Sequence, residues 1–270
     1  VYTSCAQTGT AGNLLNCKSP LVRDSLIKRY IDQGADLLPN MYNNPVWQKY
    51  CDSIIALCPN TAEAYQLKAV PFIKNGEYEK AMPLYDRAAQ VDPGRYTGHR
   101  GFIKCLFTKD YESAIADLQK AHQLVPNGYV MDHTFQFYEG LCHLELGNYT
   151  PAEQCLKQDI YIQTNGDPKK RPHFNSLLYM GILYYEMGKY DQARTYLLNC
   201  LNLYEKLPVA NYYLAFVLGR NGNLVAKKQY LEIAKQSYLD GYRMNEDQLY
   251  YVNYPHEVKL YEIEEALKGR

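Results

Sequence analysis

The chain has 270 residues, with 29 basic and 29 acidic side chains and 47% hydrophobic residues, a length that fits one or two ordinary domains with a sizeable core. The charge balance argues against a nucleic-acid binder, which needs a basic face to neutralise phosphates, and gives no reason to expect an anionic membrane surface as partner. The apolar content excludes wholesale disorder, and no run of about 18 apolar residues predicts a membrane-spanning helix.

Residues 1–19 carry no periodicity and read as an arm or tether. Val1-Tyr2-Thr3-Ser4-Cys5-Ala6-Gln7 resembles the end of a bacterial lipoprotein signal, where a small residue precedes the cysteine that takes the lipid; cleavage after Ala6 and a chance cysteine in an N-terminal arm are the alternatives. The lipoprotein reading makes Cys5 a lipid anchor and places the protein in a bacterial cell envelope, periplasmic or on the outer membrane. The alternative location is cytoplasmic.

Residues 20–60 read as a degenerate helical pair, Ser25–Leu38 and Val46–Leu57, the second started by Asn44-Pro45 and ended by Cys58-Pro59. From residue 61 the chain repeats itself. Gly76-Glu77-Tyr78-Glu79-Lys80-Ala81 matches Gly147-Asn148-Tyr149-Thr150-Pro151-Ala152 and Gly188-Lys189-Tyr190-Asp191-Gln192-Ala193. Asp110-Tyr111-Glu112-Ser113-Ala114 is the same element without its glycine, and Gly222-Asn223-Leu224-Val225-Ala226-Lys227 is a worn copy. Tyr78 to Tyr111 is 33 residues, Tyr111 to Tyr149 is 38, Tyr149 to Tyr190 is 41, and Tyr190 to Leu224 is 34. Each unit reads as two helices. In the clearest, Tyr65, Ala69 and Phe72 stripe Ala62–Lys74, Asn75-Gly76 breaks the helix, and Tyr78, Ala81, Tyr85 and Ala88 stripe a second helix that Asp92-Pro93 ends. Small residues let the paired helices approach while the aromatic rings fill the space around them. One hairpin cannot bury its own apolar face, so the units must stack. The two spacings above the period put their surplus into linkers, the longer holding Gly166-Asp167-Pro168-Lys169-Lys170-Arg171-Pro172, read as a solvated loop with an acidic partner as the alternative. Residues 239–270 read as an irregular, tyrosine-rich segment followed by a charged closing helix with Leu260, Ile263 and Leu267 on one side.

A period near 34 with this packing code resembles the tetratricopeptide repeat family. Tyr65, Lys68, Ala69, Phe72, Ala81, Tyr85 and Pro93 fill the family's slots in the clearest copy. Glu139-Gly140, His143, Ala152 and Leu156 fill them in another, and Leu177, Met180-Gly181, Tyr184, Ala193 and Leu197 in the best-filled later one. Leu214-Ala215, Leu218, Leu231 and Ala234 form the last. The copy around Arg100-Gly101 has one extra residue before Ala114. The resemblance implies an all-α, right-handed superhelical solenoid of stacked helix-turn-helix hairpins over residues 20–238, with residues 61–238 as its clearer part.

Nothing in the sequence carries a specific chemistry. There is no phosphate-binding Gly-x-x-x-x-Gly-Lys-Ser/Thr loop, no Gly-x-Ser-x-Gly elbow and no His-Glu-x-x-His helix, so no catalysis, cofactor or metal is expected. The six histidines, Asp132-His133 included, read as structural or solvated. The eight cysteines lack a Cys-x-x-Cys pair and read mostly as small buried hydrophobes. Cys5 and Cys17, outside the repeats, are the pair expected to bridge in an oxidising compartment.

In this family the first helices of successive units line a concave groove. Here that implies Gln66, Val70 and Ile73, then Phe137, Leu141 and Leu144, then Leu178, Ile182 and Tyr185, then Tyr212 and Phe216. Gln66, Val70, Leu178 and Ile182 stand where some members hold a peptide carboxylate with lysine and asparagine, so that mode is not expected. The expected partner site is Phe137, Leu141, Leu178, Ile182, Tyr185, Tyr212 and Phe216, receiving a protein or peptide segment; core tyrosines such as Tyr78 and Tyr190 should be the buried ones. Nucleic acid is not expected as a partner, and a membrane only through the lipid anchor. The alternative function is a structural subunit packing through its convex face or its ends. An open groove favours the first reading, and a groove filled by the chain's own arm favours the second.

Overall fold

A computed structural model describes residues 16–244 and 254–269. Cys5 and the rest of the N-terminal arm lie outside the described residues. The fold is nearly all helical. The residues form two compact units, within Val1–Val91 and Asp92–Arg270, and each is described by itself.

In the first unit, α1 (Pro20–Ile27) starts on a proline that needs no intrahelical donor. It runs on into a π-helical turn, Lys28–Asp32, so the pattern expected to continue to Leu38 loses its register there. Helix α2 (Pro45–Leu57) begins as read: the Asn44 carboxamide oxygen accepts from the Val46 amide at 3.0 Å. The core of this pair holds Trp47, Cys51, Ile54 and Ile31, all nearly fully buried. The Trp47 indole N–H donates to the Leu67 carbonyl at 2.8 Å and so ties the pair to α3 (Ala62–Lys74). Helix α4 (Tyr78–Val91) packs back on α3 through Ala69 and Ala81, neither with any exposed surface. Cys17 is bridged to Cys58, with Cα atoms 5.4 Å apart. This corrects the expected partner: Cys58 sits at the C-terminus of α2, within reach of the chain that leads into α1, and is not a free thiol.

Among the described residues the second unit contains four hairpins: α5 (Pro93–Ile103) with α6 (Tyr111–Leu124), α7 (Phe135–Glu145) with α8 (Tyr149–Thr164), α9 (Phe174–Glu186) with α10 (Tyr190–Leu201), and α11 (Pro208–Arg220) with α12 (Leu224–Leu239). A short α13 (Leu260–Leu267) packs on α12. The glycine of the repeated motif takes φ near +70° to +80° at Gly147, Gly188 and Gly222. That conformation lets the next amide reach back to the first helix: Asn148 to the His143 carbonyl at 2.8 Å, Lys189 to Tyr184 at 2.8 Å, Asn223 to Leu218 at 3.0 Å. The copy without its glycine solves the same problem with Lys109 at φ 58°. Its extra residue is absorbed by a π-helical turn, Lys104–Thr108, which prolongs α5. The surplus in the next spacing forms a two-residue antiparallel ribbon, Tyr129–Val130 with His133–Thr134, that no reading of the sequence anticipated. The longest spacing holds the 16-residue α8 and the loop in which Lys169, Lys170 and Arg171 are exposed.

Candidate functional site

The close approach of each helix pair fixes which side chains turn inward. A Cβ added to Gly140 would lie 2.9 Å from Leu156 Cγ, and one on Gly181 would lie 2.7 Å from Leu197 Cγ. The residue two positions earlier points away from the partner helix, and in three consecutive first helices it is tyrosine: Tyr138, Tyr179 and Tyr213, ahead of Gly140, Gly181 and Ala215. Helices α7, α9 and α11 lie side by side, so the three hydroxyls form a ladder across their shared face.

The ladder holds the chain's own C-terminal segment. The Tyr138 hydroxyl donates to the Val130 carbonyl at 3.3 Å and lies beside Tyr254. Tyr179 donates to the Pro255 carbonyl at 2.7 Å, and the Tyr213 hydroxyl lies 2.8 Å from His256 Nδ1. Three residues in a row thus meet three hairpins in a row. His256 also closes on Glu145, Nε2 to Oε1 at 3.1 Å. With Nε2 donating there, Nδ1 accepts from Tyr213. Burial opposes ionisation of Glu145, but hydrogen bonds from His256 and Tyr111 and the charge of Lys109 outweigh it and hold the carboxyl below its usual range. Burial pushes the Tyr138 and Tyr179 hydroxyls well above the usual phenol range, so both stay protonated and able to donate. His256 itself is left-handed, at φ 61°, a conformation that costs a β-carbon residue energy and persists only where its surroundings hold it. Pro255, Val258 and Met244 are buried beside it.

The expected groove is therefore not open. Phe137, Leu141, Leu178 and Ile182 have no exposed surface, and Leu144, Val70 and Ile73 are also buried. Tyr185, Tyr212 and Phe216 are half-buried, as is Gln66. Tyr212 and Phe216 pack on a cluster with Leu231, Ala266 and Leu267, which brings α13 against α11 and α12. At Phe137 the expected contrast is reversed, since Tyr78 and Tyr190 keep more surface; Tyr185, Tyr212 and Phe216 are half-buried as those two are. Phe137 is stacked beneath His133, and the face around Tyr179 and Tyr213 is covered by Met244, Pro255 and His256, a stretch built on a turn that leaves no helical period to read. The signal available in the sequence was the thrice-repeated Tyr-x-small pattern.

His133 is buried, stacked on Phe137 with centroids 4.0 Å apart and edge-on to His173 at 4.6 Å. Burial, aided by the charge of His173, depresses its pKa to about 3. Behind it Asp159 Oδ1 accepts from Thr134 Oγ1 at 2.7 Å and from Gln163 at 2.7 Å, which fastens the ribbon to α8. Burial raises the Asp159 carboxyl above its usual range despite these bonds.

Comparison with known proteins agrees on the fold. Residues 62–95 and 175–206 match the tetratricopeptide repeat, so the chain carries tetratricopeptide repeats. No curated protein matches it. Among solved structures it is similar to PilW, described as a widely conserved type IV pilus biogenesis factor, at 15% identity and TM-score 0.63 over 81% of this chain and 93% of that one. It is similar to pilF of Pseudomonas aeruginosa at 20% identity and TM-score 0.63, over 82% and 95%. It is also similar to YrrB, described as a TPR protein with an unusual peptide-binding site, at 16% identity and TM-score 0.52, over 71% and 93%. Among the described residues no helix is long and apolar enough to cross a membrane.

Proposed function

We propose that the protein is a non-enzymatic protein-interaction scaffold of a bacterial cell envelope, and that the concave face of its second unit receives a partner segment in the place where residues 254–258 lie. One observation carries this reading: the Tyr138, Tyr179 and Tyr213 ladder meets three successive residues of a polypeptide, with Tyr179 hydrogen-bonded to a main-chain carbonyl and Tyr213 to a side chain. Such a face can take polypeptide of varied sequence, because the main-chain carbonyl that Tyr179 engages recurs in every chain. The partner replaces the segment, and Phe137, Leu141, Leu178, Ile182, Tyr185, Tyr212 and Phe216 become its binding surface once the segment lifts. The envelope setting is supported by the Cys17–Cys58 bridge, since disulfides persist in oxidising compartments, and by the likeness to proteins described as pilus factors. Lipid attachment at Cys5 fits the same setting.

A titration tests it. A labelled peptide of residues 250–262 is added to the full chain, to a Pro255→Gly/His256→Ala variant, and to a chain ended after Met244, each checked for helicity. Binding to the loosened or shortened chain, with much weaker binding to the full chain, is expected. A helical shortened chain that ignores the peptide, or equal binding to all three, overturns the reading.

The filled face supports the second reading, a structural subunit docking by its end. Leu224 and Val225 on α12 are 68% and 82% exposed beside a shallow depression lined by Lys228, Gln229 and Glu232. In that case Val225→Asp abolishes assembly with the native partner and leaves the peptide titration unchanged.

A further inference from the structure

The hairpins use the same three slots differently. The slots are the residue before the small one of the first helix, the residue three after it, and the residue three after the alanine (Lys227 in the last copy) of the second helix. In the α9–α10 hairpin they hold Met180, Tyr184 and Tyr196, with the two rings 5.4 Å apart. In the α5–α6 hairpin they hold Arg100, Lys104 and Asp117, and the carboxylate is closed by the guanidinium at 2.5 Å and 2.8 Å and by the ammonium at 2.8 Å. In the α7–α8 hairpin they hold Glu139, His143 and Cys155. Gly140 lets α7 and α8 approach there, with Cys155 Cβ 3.4 Å from where a Gly140 Cβ would stand.

These three side chains are unlike those of the other hairpins: each offers a metal-ligating atom, and the three atoms lie within 4.8 Å of one another. Glu139 is buried, His143 and Cys155 half-buried. His143 Nε2 faces Glu139 Oε1 at 3.8 Å, too far for a hydrogen bond, and His143 Nδ1 has no hydrogen-bond partner among the described residues. The same Glu139 oxygen accepts from Gln119 at 2.8 Å, an outer contact that orients it.

We infer that Glu139, His143 and Cys155 form a binding site for a zinc-like divalent cation, with a fourth position left to water or a partner's side chain. The warrant is the ligand chemistry. A thiolate, an imidazole and a carboxylate suit zinc and exclude calcium and magnesium, which take oxygen. Bonds of about 2.0–2.3 Å to a tetrahedral centre put ligand atoms roughly 3.3–3.7 Å apart, a small rotamer adjustment from the distances here. As the sulfur–metal bond forms, the thiol proton passes to solvent. Two anionic ligands then cancel the charge of the cation, which suits a site in a hairpin's interior. This inference is independent of the concave face.

The experiment is a titration of the full chain with cobalt(II), then zinc(II), followed by absorption and calorimetry. One equivalent of cobalt should bind with a thiolate-to-cobalt charge-transfer band and visible bands of tetrahedral intensity, and zinc should displace it. Cys155→Ser should lose the charge-transfer band, and Glu139→Gln should weaken affinity at least about tenfold, since even outer contacts are worth 10–100-fold. Cys200→Ser should keep the band. Circular dichroism reports whether each variant is folded. An absent band, or an equal band in a folded Cys155→Ser chain, overturns the site; should Cys155→Ser not fold, a fully retained band in Glu139→Gln and His143→Gln does so.

Discussion

At the scale of single residues, burial decides what each aromatic does. Phe137 and Leu178 are core, so alanine there should cost roughly 3–5 and 2–5 kcal/mol of stability respectively. Tyr185 and Tyr212 keep exposed surface and should cost less in the same denaturant titrations. Equal losses at all four would mean that the C-terminal cover is wrong. His133 makes a pH prediction. Its folded pKa, about 3, lies below the unfolded value of about 6.5. Above pH 6.5 both states are neutral and nothing is lost. As pH falls from about 6.5 towards 3, only the unfolded chain takes the proton, so stability drops by up to about 1.4 kcal/mol per pH unit. Between pH 7 and pH 5, His133→Gln should therefore lose about 2 kcal/mol less than the parent chain; parallel losses would show that His133 is protonated when folded.

At the scale of elements, the sequence was most legible where a local rule operates. Ala62–Lys74 appears with the bounds its stripe implied, and Asn44 caps α2 as read. The Gly-x-Tyr-x-x-Ala motif works because glycine turns the chain and alanine admits the neighbouring helix. What escaped needed contacts distant in sequence or a local irregularity. The Cys17–Cys58 bridge spans 41 residues, and nothing at either cysteine names the other. The π-helical turn after α5 is a bulge that periodicity reads only as one residue too many. Two predictions belong here. Ala81→Leu, Ala152→Leu and Ala193→Leu should each overpack a helix contact at a cost of roughly 1–3 kcal/mol; unchanged melting in all three would refute the register. Loss of the disulfide in Cys17→Ser/Cys58→Ser should cost about 2–5 kcal/mol, whereas a melt equal to the parent's, with free thiols at both positions in the parent, would remove the bridge and its argument for an oxidising setting.

At the scale of the molecule, the concave face of the second unit was legible as a surface and illegible as an occupied one. The family resemblance implied that the first helices of the hairpins share a face, with Phe137, Leu178 and Tyr212 on it. It said nothing of Tyr254, Pro255 and His256, whose turn leaves no periodicity, although the register of Tyr138, Tyr179 and Tyr213 marked the hydroxyls that meet them. The account stands on that meeting. A double-mutant cycle on Tyr213 and His256, 2.8 Å apart, measures it without need of a partner. Stability is determined for the parent chain, Tyr213→Phe, His256→Asn and the double variant. A coupling energy of about 0.5–1.5 kcal/mol is expected for a half-buried hydrogen bond. Single effects that add to within about 0.3 kcal/mol would mean that the two side chains do not touch and that the face is not filled by this segment.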